Sequence, residues 1–217
     1  MDIELLLVIM SFIGTIAFSV SGALIAIENK LDLFGVIILG AVTACGGGAI
    51  RDIMLNKEIR MFAEPWYCFT SIGVGAVVFL VLYFLKNLKW ENSNFYKVFY
   101  NITDSIGLGA FVVVGAQVAI NSGVTSFFTV TFYAVLTAVG GGIIRDLMAM
   151  KIPAIFRKHI YAVAALIGAC YFYLLNRLGA NYAINVLTTV VIIVVIRFLA
   201  FRFEWSLPKV QLKENNS

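Results

Sequence analysis

Six apolar runs without a single charged residue, one of them 40 residues long, leave this chain few folds to adopt. Positions 5–27, 33–50, 65–85, 160–176 and 178–196 contain no Asp, Glu, Lys or Arg, and neither does 105–144. A transmembrane helix needs about 20 predominantly apolar residues. The long run must therefore hold two spans, and Asn121-Ser122-Gly123 supplies the turn residues that divide it. The expected fold is an all-α polytopic membrane protein with seven transmembrane helices. Hydrophobic residues make up 61% of the 217 positions and charged residues 13%, against about 45–50% and about 25% in soluble domains. One water-soluble core could not hide that surface, so the surplus faces a lipid bilayer.

Met1-Asp2-Ile3-Glu4 lacks the positive segment that opens a cleaved signal peptide, and the run after it can cross a bilayer by itself. If the spans alternate, one side carries Lys57, Arg60 and Arg177. The other carries Lys30, Lys86, Lys89, Lys97, Lys151, Arg157, Lys158, Arg202, Lys209 and Lys213. Cytoplasmic loops hold the excess of Lys and Arg, which places the N-terminus outside and the C-terminus in the cytoplasm. The net charge of +4 is thereby a topology signal, and nucleic acid is not an expected partner.

The chain also repeats itself. Residues 43–54, TACGGGAIRDIM, match 137–148, TAVGGGIIRDLM, at nine of twelve positions; 14–26, GTIAFSVSGALIA, match 107–119, GLGAFVVVGAQVA, at seven of thirteen. Each copy holds three spans, and an odd number forces the second copy to enter from the opposite face. The expected division is 1–90 for the first three-helix repeat, 91–178 for its inverted copy, 179–205 for a seventh helix and 206–217 for a polar tail. Inverted repeats of this kind typify transporters and channels, with the route along the repeat interface.

Gly46, Gly47 and Gly48, and again Gly140, Gly141 and Gly142, lie inside the second and fifth spans, where each glycine costs about 1 kcal/mol of helix propensity. One reading is a kink or broken turn whose freed carbonyls line a polar path. The other is close packing on a surface without side chains. Arg51-Asp52 and Arg145-Asp146 follow the triplets. Neighbours on a helix point about 100° apart, which favours partners elsewhere, although the inversion sets the two motifs toward opposite faces and so argues against Arg51 with Asp146 or Arg145 with Asp52. Snorkelling to the interface is the alternative. Asp104, Thr43, Thr137, Ser19 and Ser21 could supply a cation path with negative ends and hydroxyls. Asp104 also reads as an N-terminal helix residue beside the macrodipole, and the hydroxyls as backbone-bonded; its counterpart in the first copy is Ser11.

Cys45, Cys68 and Cys170 form no metal or redox spacing. His159, beside Arg157 and Lys158, reads as a solvated interfacial residue, and Trp66, Tyr67, Trp90, Tyr161 and Trp205 as interfacial aromatic belts. Nothing supports enzymatic activity, a resident metal or a cofactor.

The doubled Gly-Gly-Gly-x-x-Arg-Asp, the Gly14/Phe18/Gly22 and Gly107/Phe111/Gly115 patterns, Ile152-Pro153 and Tyr161-Ala162 resemble the prokaryotic trimeric intracellular cation (TRIC) channel family across about residues 5–207. Cys45 and Val139 before the triplets are the one departure. The resemblance implies a homotrimer of seven-helix subunits, each with its own pore between the repeats for K+, Na+ and other monovalent cations, and with glycine kinks near the constriction. Chains of this type also carry a glycine-transporter label, which implies a secondary carrier of glycine or another small amino acid. A channel needs weak sites along a hydrated path, whereas a carrier needs an occluding pocket. The scarcity of ionisable groups in mid-span favours the channel.

Overall fold

The structure, a computed structural model, describes residues 3–85, 94–157 and 160–205, with the backbone alone at Arg157. Lys86, Lys89, Trp90, Lys158, His159, Lys209, Lys213, the tail 206–217 and the expected boundary at 90/91 lie outside the described residues. Among those described, nine helices follow one another: α1 Ile3–Glu28, α2 Leu33–Met54, α3 Arg60–Ala63, α4 Trp66–Phe84, α5 Asn94–Asn121, α6 Phe127–Met148, α7 Ala154–Arg157, α8 Ile160–Arg177 and α9 Tyr182–Arg202. All but the four-residue α3 and α7 are long and apolar enough to cross a membrane, which gives the seven expected spans.

Two span starts depart furthest from the charge-free runs. The fourth span begins at Asn94 rather than near Ser105, because a polar helical extension buries Tyr96 and Asn101 against the bundle. The seventh begins at Tyr182 rather than Leu178. Gly179 takes a left-handed turn at φ +71, and the Asn181 carboxamide caps α9 by accepting the Ala183 and Ile184 N–H groups at 3.0 and 3.3 Å.

The repeat is structural as well as sequential. An offset of 93 residues carries α1 onto α5, and one of 94 carries α2, α3 and α4 onto α6, α7 and α8. The helix ends obey it too. α1 and α5 close on left-handed residues at Lys30 and Gly123, α2 and α6 at Asn56 and Met150, and in each the following N–H returns to a carbonyl five residues back. Symmetry mates touch each other, α1 on α5 and α2 on α6, so the pseudo-two-fold axis passes through these crossings. α9 has no mate and lies on α5 and α8. The rest of the chain covers 83% of the most apolar stretch of α5 but 17% of that of α4. α5 is therefore the hub, and α4, with Trp66, Phe69 and Phe84 turned outward, is the helix given over to lipid or a neighbour.

At the axis each copy's phenylalanine fills the other's glycine. Phe18 lies against Gly107 and Phe111 against Gly14, and the two rings meet edge to face with centroids 5.1 Å apart.

Candidate functional site

The expected broken turn is absent: α2 and α6 run as uninterrupted helix through both triplets. The glycines serve the crossing instead. A Cβ on Gly47 would collide with the Thr137 carbonyl and one on Gly141 with the Thr43 carbonyl, while one on Gly140 would stand 3.1 Å from the Gly47 Cα. Two helices thus meet backbone to backbone in mid-membrane, as a small-residue interface permits.

One turn beyond the crossing, α2 and α6 each present an arginine, at opposite ends of the molecule. At the Arg51 end, Nε and Nη2 of Arg51 donate to Asp52 Oδ1 at 2.8 and 2.6 Å. The other carboxylate oxygen accepts the Arg60 N–H at 3.0 Å, tying α3 down. Arg60 then lies over the Tyr67 ring, 4.9 Å from its centroid, donates to Ser11 Oγ at 3.2 Å and pairs with the exposed Glu64 at 3.2 Å. Beneath this cluster is a cavity of about 50 Å³ reaching Thr15, Thr137 and Phe111, and outside it a vestibule of about 270 Å³ that includes Lys57 and Glu58.

At the Arg145 end the arrangement recurs with more of its charge buried. Arg145 Nε donates to Asp146 Oδ1 at 2.9 Å, and the Ala154 N–H donates to Asp146 Oδ2 at 2.7 Å. Arg145 Nη1 also reaches Asp104 Oδ1 on α5 at 2.8 Å and Ser21 Oγ on α1 at 3.0 Å. Arg197 from α9 lies over the Tyr161 ring at 4.6 Å and donates to Asp104 Oδ2, Asn101 Oδ1 and Ser105 Oγ at 3.3, 3.1 and 3.3 Å. A vestibule of about 290 Å³ adjoins it, lined in part by Glu28, Tyr96, Asp146 and Lys151; there Lys151 Nζ pairs with Glu28 Oε2 at 3.0 Å. An ion embedded this deeply is costly unless paired; Arg51, Asp52, Asp104, Arg145, Asp146 and Arg197 are all buried and each meets an opposite charge, with Arg145 Nη2 left without a hydrogen-bond partner.

The constellation is thus two pseudo-symmetric polar clusters, each built on an Arg-Asp dipeptide, on either side of a glycine crossing and a phenylalanine pair. Known proteins resemble the chain as a whole. The family described as "Glycine transporter" matches this chain twice, over residues 8–83 and 101–177. The membrane protein YvgT of Bacillus subtilis is 38% identical over 96% of this chain and 98% of its own length, and the inner membrane protein YadS of Escherichia coli K12 is 34% identical over 95% and 97%. Among solved structures, the TRIC trimeric intracellular cation channel orthologue from Rhodobacter sphaeroides superposes with a TM-score of 0.82 at 30% identity, over 92% of this chain and 98% of that one. The chain belongs to the TRIC channel family. A second prokaryotic TRIC channel, solved in KCl, agrees at a TM-score of 0.83 and 31% identity, over 94% and 100% of the two chains. The structures matched are channels rather than enzymes.

In this TRIC chain the sequence-derived residues separate. Asp104 and Ser21 join the Arg145 cluster. Thr137 borders the small cavity at the Arg51 end, but its hydroxyl donates to the Tyr133 carbonyl at 2.6 Å, as that of Thr43 does to Leu39 at 2.5 Å. Ser19 donates to the Ser71 carbonyl at 2.7 Å, pinning α1 to α4. The expectation that each arginine finds its partner elsewhere holds for Arg145, which reaches Asp104, and fails for Arg51. The adjacent Arg and Asp also pair, since a guanidinium is long enough to fold back over the next residue's carboxylate, and two alternatives fall away. Neither arginine snorkels; Arg51 is 2% exposed and Arg145 0%. Asp104 stands well inside α5, away from any helix start.

Sequence reasoning missed Arg197, and it read Tyr67 and Tyr161 as belt residues although both are buried under guanidinium groups. Signals existed for each. Arg197 is flanked by Ile196 and by Phe198-Leu199-Ala200, where a charge demands a partner, and the 94-residue offset pairs Tyr67 with Tyr161. Trp66 and Trp205 are exposed as a belt requires. No group of three or more metal-ligating side chains occurs among the described residues.

Proposed function

We propose that this chain forms a cation channel permeable to K+ and Na+, one pore per subunit of a homotrimer, running between the two repeats. The observation that carries the reading is the paired vestibules: each reaches a buried Arg-Asp cluster from its own end, and at the Arg51 end the small cavity continues inward to Ala44 and Thr137 beside the crossing of α2 and α6. Carboxylates at Asp52 and Asp146 give each mouth a negative ligand, while the arginines beside them neutralise it and hold the route shut. Gly46, Gly47 and Gly48, with Gly140, Gly141 and Gly142, let α2 and α6 slide or bend at the narrowest level, since a surface without side chains presents no ridges to unlock. Thr137 at the small cavity and Ser21 in the Arg145 cluster add hydroxyls along the way, as weak sites must, whereas Thr43 and Ser19 are bonded to backbone carbonyls away from the cavities. No cofactor takes part; the permeating ion supplies the only exchangeable charge.

The likeness to solved TRIC cation channels across nearly the whole chain supports this reading. The family description "Glycine transporter" supports a second one, a carrier of small amino acids. Purified protein in planar bilayers under a potassium gradient separates them. Discrete current steps reversing near the potassium potential, unaffected by added glycine, are expected. Silent bilayers together with glycine uptake into liposomes of the same preparation would overturn the channel.

A further inference from the structure

The inverted repeat makes each end of the molecule a control for the other. Arg51, Asp52, Lys57 and Tyr67 correspond to Arg145, Asp146, Lys151 and Tyr161, so the dipeptide, one lysine and the aromatic are kept, while Arg60 corresponds to Ala154 and Arg197 on α9 has no counterpart. The Arg51 end has Glu58 and Glu64 where the other has Ile152 and Lys158, but Glu64 pairs with Arg60, four residues before it. The acids that reach another long helix are not kept, since the 93-residue offset places Ser11 where Asp104 stands and Asn121 where Glu28 stands. Both losses fall at the same end.

Their mechanical meaning follows from which elements the ion pairs join. Among the described residues, the carboxylate partner of Arg51 is Asp52, its own neighbour on α2. When that end of α2 moves, the pair moves with it unbroken, and the tie from α3 to α1 is a hydrogen bond from Arg60 to the neutral Ser11. Arg145 is bound in addition to Asp104 on α5, and Asp104 is gripped on its second oxygen by Arg197 on α9. Moving that end of α6 must separate buried opposite charges on different helices, and the Lys151–Glu28 pair straps the loop after α6 to the end of α1 as well. Separating a buried ion from its partner is strongly unfavourable.

We infer that Asp104 locks the Arg145 end and makes it the end that limits opening, while the Arg51 end opens readily. The inference rests on the channel reading for its functional consequence but not for its mechanics, so two measurements keep them apart. Amide hydrogen exchange on the full chain in lipid nanodiscs compares residues 48–54 with their counterparts 142–148, whose terminal side chains, Ile53 and Met54 against Leu147 and Met148, are similarly exposed. The Arg51 end is expected to exchange faster by about tenfold or more, since local opening there breaks no ion pair between helices. Asp104→Asn should erase most of that difference and, in bilayers, raise open probability by a similar factor. Ser11→Asp, which gives the Arg51 end the acid it lacks, should slow exchange at 48–54. Glu28→Gln, a surface change that leaves the buried cluster whole, should shift 142–148 in the same direction as Asp104→Asn but by less, which guards against general unfolding. Equal exchange at the two ends of the unsubstituted chain, or no response at 48–54 to Ser11→Asp, would overturn the lock. Exchange behaving as stated over silent bilayers would uphold the lock and discard the channel.

Discussion

At Gly47 the absence of one carbon decides whether two helices can meet. An added Cβ there would strike the Thr137 carbonyl, a backbone atom that cannot swing aside, and the same holds for Gly141 against Thr43. Gly73, on the outer face of α4, has nothing within 4 Å of that position. Gly47→Ala is therefore expected to destabilise the fold by about 1–3 kcal/mol through overpacking, and Gly73→Ala to be neutral or to stabilise it by up to about 1 kcal/mol through helix propensity. Thermal unfolding in detergent checks the contrast, and equal behaviour would remove the triplets from the crossing. The cost of three glycines in a helix was legible in the sequence; what compensates it was not, because a facing carbonyl belongs to residues 90 positions away. Arg51-Asp52 was misjudged for another reason. The directions of two Cα–Cβ bonds say little about where a flexible guanidinium ends, and only the backbone N–H of Arg60, eight residues on, accounts for the second carboxylate oxygen.

α9 is the element whose role the sequence concealed most. It has no partner in the repeat, yet Asn185, Thr189, Ile193 and Arg197, each four residues from the last, form its buried stripe. Asn185 donates to the Phe172 carbonyl of α8 at 3.0 Å, and Arg197 reaches α5, so the helix is fastened at both ends by polar contacts in an otherwise apolar seam. Arg197→Ala leaves Asp104 with Arg145 alone and uncovers Tyr161. The expected loss is about 3 kcal/mol, the lower part of the range for removing one partner of a buried pair, whereas Arg202→Ala, exposed in the last turn, should change stability by less than about 0.5 kcal/mol. Faster hydrogen exchange confined to α9 in Arg197→Ala would locate the effect; a uniform change along the chain would contradict a fastening role. The stripe is hard to read beforehand because nearly every residue of α9 is apolar, which hides a buried face among lipid-facing neighbours.

For the whole molecule, the number of spans and the repeat settle the architecture together: three helices copied once must be inverted, and inverted copies that touch must do so across an axis. That much needed only charge-free lengths and a self-match. The short α3 and α7 were beyond reach, since four residues give no periodicity, and so was the seating of α9. Orientation in the membrane follows from basic residues, and two inverted copies of one three-helix unit make it depend on few of them. In the fold, Lys57, Arg60 and Arg177 gather at the Arg51 end, and Lys30, Lys97, Lys151 and Arg202 at the other. By the bias of Lys and Arg the Arg145 end should face the cytoplasm. Green fluorescent protein fused after Ser217 is then expected to fluoresce in bacterial cells, and alkaline phosphatase fused at the same point to be inactive. The reverse pattern would turn the molecule over and carry Asp104 with it, so that the end held shut by two interhelical ion pairs would face outward and the readily opened end would face the cell interior. The same fusions thus report on which compartment the lock faces.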